Sequence, residues 1–259
     1  MSNDSIQPNE TIELMNNHRS IRKFKNTPVS RDRLLTIISA AQMASTSSNM
    51  QAYSIIHVTD ANKKRELASL AGNQVYVETC PVFLVWCADL NRLKTACKLD
   101  PANEYIGTTE NLIVSLVDTA LVAQNAAIAA ESLGLGMVFI GGIRNKISEV
   151  AELLALPKLV IPVFGMCLGY PDQSPLRRER LPGQVILHEN VYDASQLESQ
   201  LEEYDAKMRQ YMVERTNGVR NNSWTDDIVD KLSKPSRMHM RSFLQKQGFW
   251  DNEMDTVNT

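Results

Sequence analysis

His18-Arg19-Ser20-Ile21-Arg22 packs two guanidiniums, an imidazole and a hydroxyl into five residues. Guanidinium forks match phosphate oxygens two at a time, and a hydroxyl adds a further bond, so the segment has the chemistry of a phosphate grip. A solvated basic turn would have the same composition. Arg177-Arg178-Glu179-Arg180-Leu181-Pro182 is a second basic cluster open to the same two readings. Ser45-Thr46-Ser47-Ser48-Asn49 offers small hydroxyls and backbone N–H groups, either to a ligand or merely to close a helix. Ile140-Gly141-Gly142 lets the backbone come close to something flat, and reads equally well as a structural bulge.

Other chemistries lack their residues. There is no phosphate-loop G-x-x-x-x-G-K-[ST], no H-E-x-x-H and no G-x-S-x-G. Gly134-Leu135-Gly136 precedes an expected strand instead of following one, so it is not a dinucleotide fingerprint. His18, His57, His188 and His239 have no metal-ligand spacing, and no metal site is expected. Cys80, Cys87, Cys97 and Cys167 form no C-x-x-C pair, which suits reduced thiols of a cytoplasmic protein, mostly filling the core. A net charge of -3 argues against wrapping nucleic acid. Met1 to Glu10 is polar and acidic, unlike a signal peptide. The longest apolar stretch, Thr119 to Ala130, falls short of the roughly 20 residues that a bilayer span needs. With 43% hydrophobic and 22% charged residues, a soluble globular protein without a membrane partner is expected.

The elements that must position these groups follow from hydrophobic spacing. Ser30 caps an expected helix with Leu34, Ile37, Ile38 and Ala41 on one face. Ser54 to Thr59 reads as a strand, and Asp60 begins a helix through Leu67, Leu70 and Ala71 that Gly72 closes. Pro81 to Cys87 is apolar throughout, as in a strand buried on both faces. From about Glu110 to Leu133 the chain is Ala, Leu and Val nearly all round, which predicts a long helix through the centre of the core. Gly136 to Ile140 is a strand, then a helix capped by Asn145 with Ile147, Val150, Ala151 and Leu154 inward. Val160 to Leu168 is a strand interrupted by Pro162 and Gly165. After about Tyr192, Leu197, Leu201, Tyr204, Met208, Tyr211 and Met212 form a narrow apolar stripe, to be covered by this chain or a second copy. Arg215 to Asn222 is a loop, and Trp224 to Gln247 is helical again. The sum is α+β without a regular βα alternation.

Taken in order, these segments resemble the nitroreductase superfamily. The nearest likeness is its branch of NADPH-dependent, oxygen-insensitive nitroreductases and flavin reductases. It runs from about Thr11 to Gly248 and includes Ile12-Glu13-Leu14 with HRSIR, the serine-rich loop with Gln51, and Asp118-Thr119-Ala120 with Ala123-Gln124-Asn125. It continues through Ala129 to Gly136, Phe139 to Gly142, Leu168-Gly169-Tyr170-Pro171, Arg180-Leu181-Pro182 and His188-Glu189-Asn190. The resemblance implies an α+β nitroreductase-like fold: a central mixed β-sheet flanked by helices, with a long core helix. It also implies a domain-swapped homodimer with FMN at the subunit interface. Residues 1–259 would form one domain, with an FMN-binding core over about 11–192 and a helical C-terminal extension over about 193–259.

The same resemblance implies roles. His18, Arg19, Ser20 and Arg22 would approach the FMN phosphate, ribityl chain and pyrimidine edge, and Arg178 and Arg180 would close on the phosphate. The branch often has Lys at the place of Arg178 and Pro at that of Glu179, so the Glu179 carboxylate should point away from the phosphate. Ser45, Thr46 and Ser47 would touch the flavin, Gln74 would bond the isoalloxazine rim, and Phe139, Ile140, Gly141 and Gly142 would run along the ring. Arg215 and Arg220 match a loop that grips the 2′-phosphate of NADPH, with two solvated arginines in a mobile loop as the lesser alternative. No catalytic side chain is implied, because the flavin carries the redox chemistry. The implied activity passes hydride from NADPH to flavin, then electrons to nitroaromatics, quinones, azo compounds or free flavin by alternating binding. A flavin reductase serving a partner oxygenase and an FMN-holding module without turnover are the alternatives.

Overall fold

The computed structural model describes residues 7–98 and 104–251, so most of the polar stretch Met1 to Glu10 lies outside the described residues. The chain divides into two compact units, Met1–Pro175 with His239–Thr259, and Leu176–Met238.

The first unit is built on four strands, β1 (Tyr53–His57), β2 (Val82–Asp89), β3 (Gly136–Ile140) and β4 (Val160–Gly169), in the order β1-β2-β4-β3. All three ladders are antiparallel, where a mixed sheet is expected. β2 and β3 do run the same way, as strands on either side of a helical crossover should, but β4 inserts between them and opposes both. The parallel component among the described residues is an isolated bridge between Ser20 and Met137 on the open edge of β3.

Around the sheet lie α1 (Glu10–Asn16), α2 (Arg31–Ala41), α3 (Ala61–Leu70), α4 (Val75–Thr79), α5 (Asn91–Cys97), α6 (Thr109–Ser132) and α7 (Ile147–Leu153). α2 starts where Ser30 accepts from the Arg33 N–H, and α3 where Asp60 accepts from that of Lys63. β2 is buried along its whole length, and alternate residues feed two cores. Leu84 and Trp86 pack with α2 and α6, whereas Phe83, Val85 and Cys87 pack with α3, α4 and α7. β4 is continuous through Pro162 and Gly165. A register shift opposite Trp86/Cys87 absorbs the proline, and β3 pairs only with Gly165–Gly169, so the missing Pro162 N–H deprives no second neighbour. Asn145 does not cap α7. Lys146 holds that place without a side-chain bond, and Asn145 donates Nδ2 to the Ala71 carbonyl at 3.3 Å.

α6 is capped by Thr108 and followed by Gly134 in the left-handed region at φ 75°. Its length and composition would suit a bilayer span, but Val122, Ala123, Ala126, Ala127 and Ala130 are buried in the core. The expected passage through the centre of the core holds for that face alone. Ile113, Val117 and Leu121, at helical spacing on the other face, are 50%, 50% and 46% exposed.

The second unit holds α8 (Gly183–Ile186), α9 (Leu197–Arg215) and α10 (Trp224–Leu232). The stripe on α9 is covered within the unit: Tyr204, Met208, Tyr211 and Met212 pack with Leu181 and Trp224. The helix expected over Trp224 to Gln247 is two helices. α10 ends before Pro235, whose ring disfavours helix in the preceding residue, and α11 (Met240–Lys246) belongs to the first unit.

Candidate functional site

The HRSIR segment lies along the outer edge of β3. The Ile21 N–H donates to the Met137 carbonyl at 2.9 Å, and farther on the Lys25 N–H donates to the Tyr170 carbonyl at 2.8 Å. Side chains alternate in such extended backbone, so the motif is divided instead of acting as one cluster. Arg19 and Ile21 line a cavity of about 290 Å³ together with Glu131, Leu135 and Gly136, while Ser20 and Arg22 do not line it. The Arg19 Nε is buried without a hydrogen-bond partner. Arg22 is exposed, and its single side-chain bond among the described residues is to the Ser20 carbonyl at 3.5 Å. His18 turns to α6, where its Nδ1 stands 2.7 Å from the Glu131 Oε1.

Continuing along β3, Phe139 is 38% exposed on an otherwise buried strand, and meets Phe164 edge to face at 5.0 Å. The strand then turns through Gly141–Arg144 in a short 3-10 helix. Gly142 must be small: a Cβ there would lie 2.3 Å from the Ala71 carbonyl oxygen and 2.4 Å from the Gln74 Nε2. Gln74 is therefore packed onto Gly142. Its amide donates to the Ala71 carbonyl at 2.7 Å and accepts from the Tyr76 hydroxyl at 2.6 Å, which fixes its rotamer and leaves one N–H unused. One sheet edge and the turn after it thus gather Ser20, Phe139, Ile140, Gly141, Gly142 and Gln74.

The serine-rich loop is built elsewhere on the unit. Asp118, 1% exposed on α6, accepts from the backbone N–H groups of Ser47 at 3.0 Å and Ala52 at 3.1 Å. The carboxylate holds both ends of a turn in which Ser48, Asn49 and Gln51 have positive φ. Ser45 and Ser47 are exposed there, Thr46 partly so. Asp118 and Glu131 are thirteen residues apart on α6. At 1.5 Å per residue, the anchors of the loop and of His18 are about 20 Å apart along the helix. Within one chain the structure does not make the loop a neighbour of HRSIR.

In the second unit, the Arg178 guanidinium lies over the Tyr211 ring at 5.9 Å, and Arg180 donates to the Arg178 carbonyl at 3.2 Å. Neither pairs with a carboxylate among the described residues. The Tyr204 hydroxyl donates to the Glu179 carbonyl at 3.1 Å, and burial pushes that phenol upward. Arg215 ends α9, and the loop after it folds back as the Arg220 N–H donates to the Thr216 hydroxyl at 2.9 Å. Arg220 is paired with Asp227 at 2.8 Å, whereas Arg215 has no ion pair among the described residues. Among the described residues, no group of three or more His, Cys, Asp or Glu has the geometry to hold a metal.

Asp118 and Glu131, which hold two of these segments, are not among the site residues that the sequence predicts. The usable signal was their type: acidic residues on a helix that is otherwise nearly all apolar break the local rule without helping the core.

The profile of the nitroreductase family matches residues 15–170, and that of the nitroreductase family C-terminal domain matches residues 178–251. The FMN reductase (NADPH) of Bacillus subtilis is 44% identical over 248 residues, covering 94% of this chain and all of the relative. The oxygen-insensitive NADPH nitroreductase of Salmonella typhimurium is 44% identical over 239 residues, covering 92% of this chain and 98% of the relative. The solved structure of NfrA1 from B. megaterium superposes with a TM-score of 0.88 at 45% identity, covering 93% of this chain and 99% of that one.

Proposed function

The chain belongs to the nitroreductase family, and from that premise we propose that it is an NADPH-dependent oxidoreductase that holds FMN. Its acceptors are nitroaromatics, quinones, azo compounds or free flavin. The observation that carries the reading is uncompensated positive charge, found in each of the two units taken by itself. Arg19, Arg22, Arg178 and Arg180 have no carboxylate partner among the described residues, and the Arg19 Nε is orphaned. Charge left unpaired in this way suits a dianionic phosphate. Exposed Phe139, followed by Gly141 and Gly142, suits a planar ring system, so the residues fit the flavin nucleotide.

In this reading His18, Ser20 and Arg22 bind the ribityl phosphate arm and pyrimidine edge, with Arg19 adding charge behind them. Arg178 and Arg180 take the phosphate, and Gln74 offers its unused N–H to the ring rim. Phe139 to Gly142 support the ring and exclude water from one side of it. FMN, when bound, supplies hydride acceptance and donation, and no side chain of this chain has to take or give a proton. Cations at the pyrimidine edge stabilise the negative charge that a reduced flavin carries. Arg215 and Arg220 hold the 2′-phosphate of NADPH.

The site is shared in a domain-swapped homodimer. The loop of Ser45, Thr46 and Ser47 is anchored about 20 Å along α6 from His18, and the exposed stripe of Ile113, Val117 and Leu121 lies on the same helix. A second copy seated on that stripe brings its serine-rich loop to the first copy's flavin. Residues of about 11–192 serve as the FMN core and about 193–259 as the extension that contacts NADPH, in a cytoplasmic enzyme.

The test is a visible spectrum of the purified protein, followed by anaerobic addition of NADPH. The expected result is a yellow protein bleached at one NADPH per flavin. A protein that is colourless and binds no FMN in calorimetry overturns the reading, and one that stays yellow under NADPH is a binding module instead.

A further inference from the structure

We propose that Glu131 is a positioning residue for His18: its carboxylate takes the Nδ1 proton, so that Nε2 is the ring atom presented to the flavin nucleotide. This inference rests on the FMN reading above. A carboxylate in ionised form only accepts, so the 2.7 Å contact makes Nδ1 the donor and fixes which face of the imidazole points inward. The pair joins positions 113 residues apart and is well shielded, with side chains 31% and 13% exposed for His18 and Glu131.

Helix stability does not account for Glu131. It sits in the last turn of a 24-residue helix that has no basic residue in that turn. There the partial negative charge of the helix end repels an anion by about 0.3–1 kcal/mol. His18 is the single hydrogen-bond partner of the Glu131 side chain among the described residues. The backbone under His18 is held independently, by its own N–H to Met15 at 3.2 Å and by the Ile21–Met137 bond at 2.9 Å. What Glu131 adds is the direction of the ring. Arg19 lines the same cavity as Glu131 but makes no ion pair with it among the described residues, so the imidazole is the group that the carboxylate holds.

The experiment titrates FMN into apoprotein by flavin fluorescence, with thermal midpoints recorded beside it. Glu131→Gln keeps an oxygen that accepts from Nδ1–H and should bind FMN within about threefold of wild type. Glu131→Leu, of similar length without an acceptor, should bind about tenfold more weakly, the loss of one hydrogen bond to a charged group. In a His18→Ala background Glu131→Leu should cause no further loss. The inference is overturned if Glu131→Leu stays within threefold of wild type, if Glu131→Gln is as weak as Glu131→Leu, or if the two losses multiply. Should Glu131→Leu not fold, 15N-labelled histidine in the wild type decides. The His18 signal, identified by its loss in His18→Ala, must show a protonated Nδ1, and a neutral ring protonated at Nε2 alone overturns the inference. Wild type that takes no FMN overturns the underlying reading instead.

Discussion

What separates the arginines of this chain is whether a carboxylate already answers them. Arg220 is neutralised by Asp227 at 2.8 Å, so any phosphate it grips must displace an existing partner. Arg215 at the end of α9 has no such competitor among the described residues. Arg215→Ala should therefore lower kcat/KM for NADPH about tenfold, the scale of one lost charge-assisted bond, and leave NADH nearly unchanged. Arg220→Ala should lower it less, because the ion pair it gives up offsets part of the gain from phosphate. Steady-state kinetics with both nucleotides check this, and unchanged preference in both variants would remove the 2′-phosphate role. At the same scale, composition revealed HRSIR as a cationic cluster, but the alternation that sends Arg19 and Ile21 into one cavity and leaves Arg22 outside it depends on pairing with β3.

Strand β2 shows what complete burial does to a titrating group. Burial, with a smaller push from the Asp89 carboxylate, raises the Cys87 thiol to about 12. In the unfolded chain it ionises near its ordinary value of 9.0. A raised pKa means the folded chain holds the proton longer, so this stability is complete below pH 9.0 and is lost as pH climbs toward 12. Cys87→Ala should flatten the alkaline loss of unfolding free energy, by up to about 1.4 kcal/mol per pH unit relative to wild type. Urea unfolding at pH 7, 9 and 10.5, roughly the window set by the linkage, measures the difference. Equal slopes would mean that the buried thiol is not what titrates. Strand β2 was legible in the sequence because burial on two faces needs continuous apolar residues, and α6 because a long run of Ala, Leu and Val without breakers favours helix. The Asn145 cap and the single helix over Trp224 to Gln247 were not. A capping residue gains about as much from a tertiary carbonyl, here Ala71, as from its own helix.

At the scale of the whole molecule, α6 carries the face on which the proposed homodimer would seat. Its inner face is filled with alanine, which lets the sheet approach closely, and its outer face leaves Ile113, Val117 and Leu121 half in water. Val117→Glu places a charge in that stripe without touching the core face. It should leave the far-ultraviolet spectrum intact and turn a dimer into monomers by light scattering. Bound FMN should fall with it, since the serine-rich loop would no longer reach a neighbour's flavin. A Val117→Glu protein that stays dimeric and yellow would move the interface elsewhere.

By itself the sequence determined the periodic elements, the apolar character of β2 and α6, the basic motifs and the likeness to a family. All of these are written in residue type and spacing, which folding leaves unchanged. Only the tertiary structure decided that β4 enters between β2 and β3. It also brought Glu131 to His18 and Asp118 to both ends of the serine-rich loop, and it left one face of α6 uncovered. Those contacts join residues tens of positions apart, and their free energy exists only once burial has fixed the backbone that brings them together.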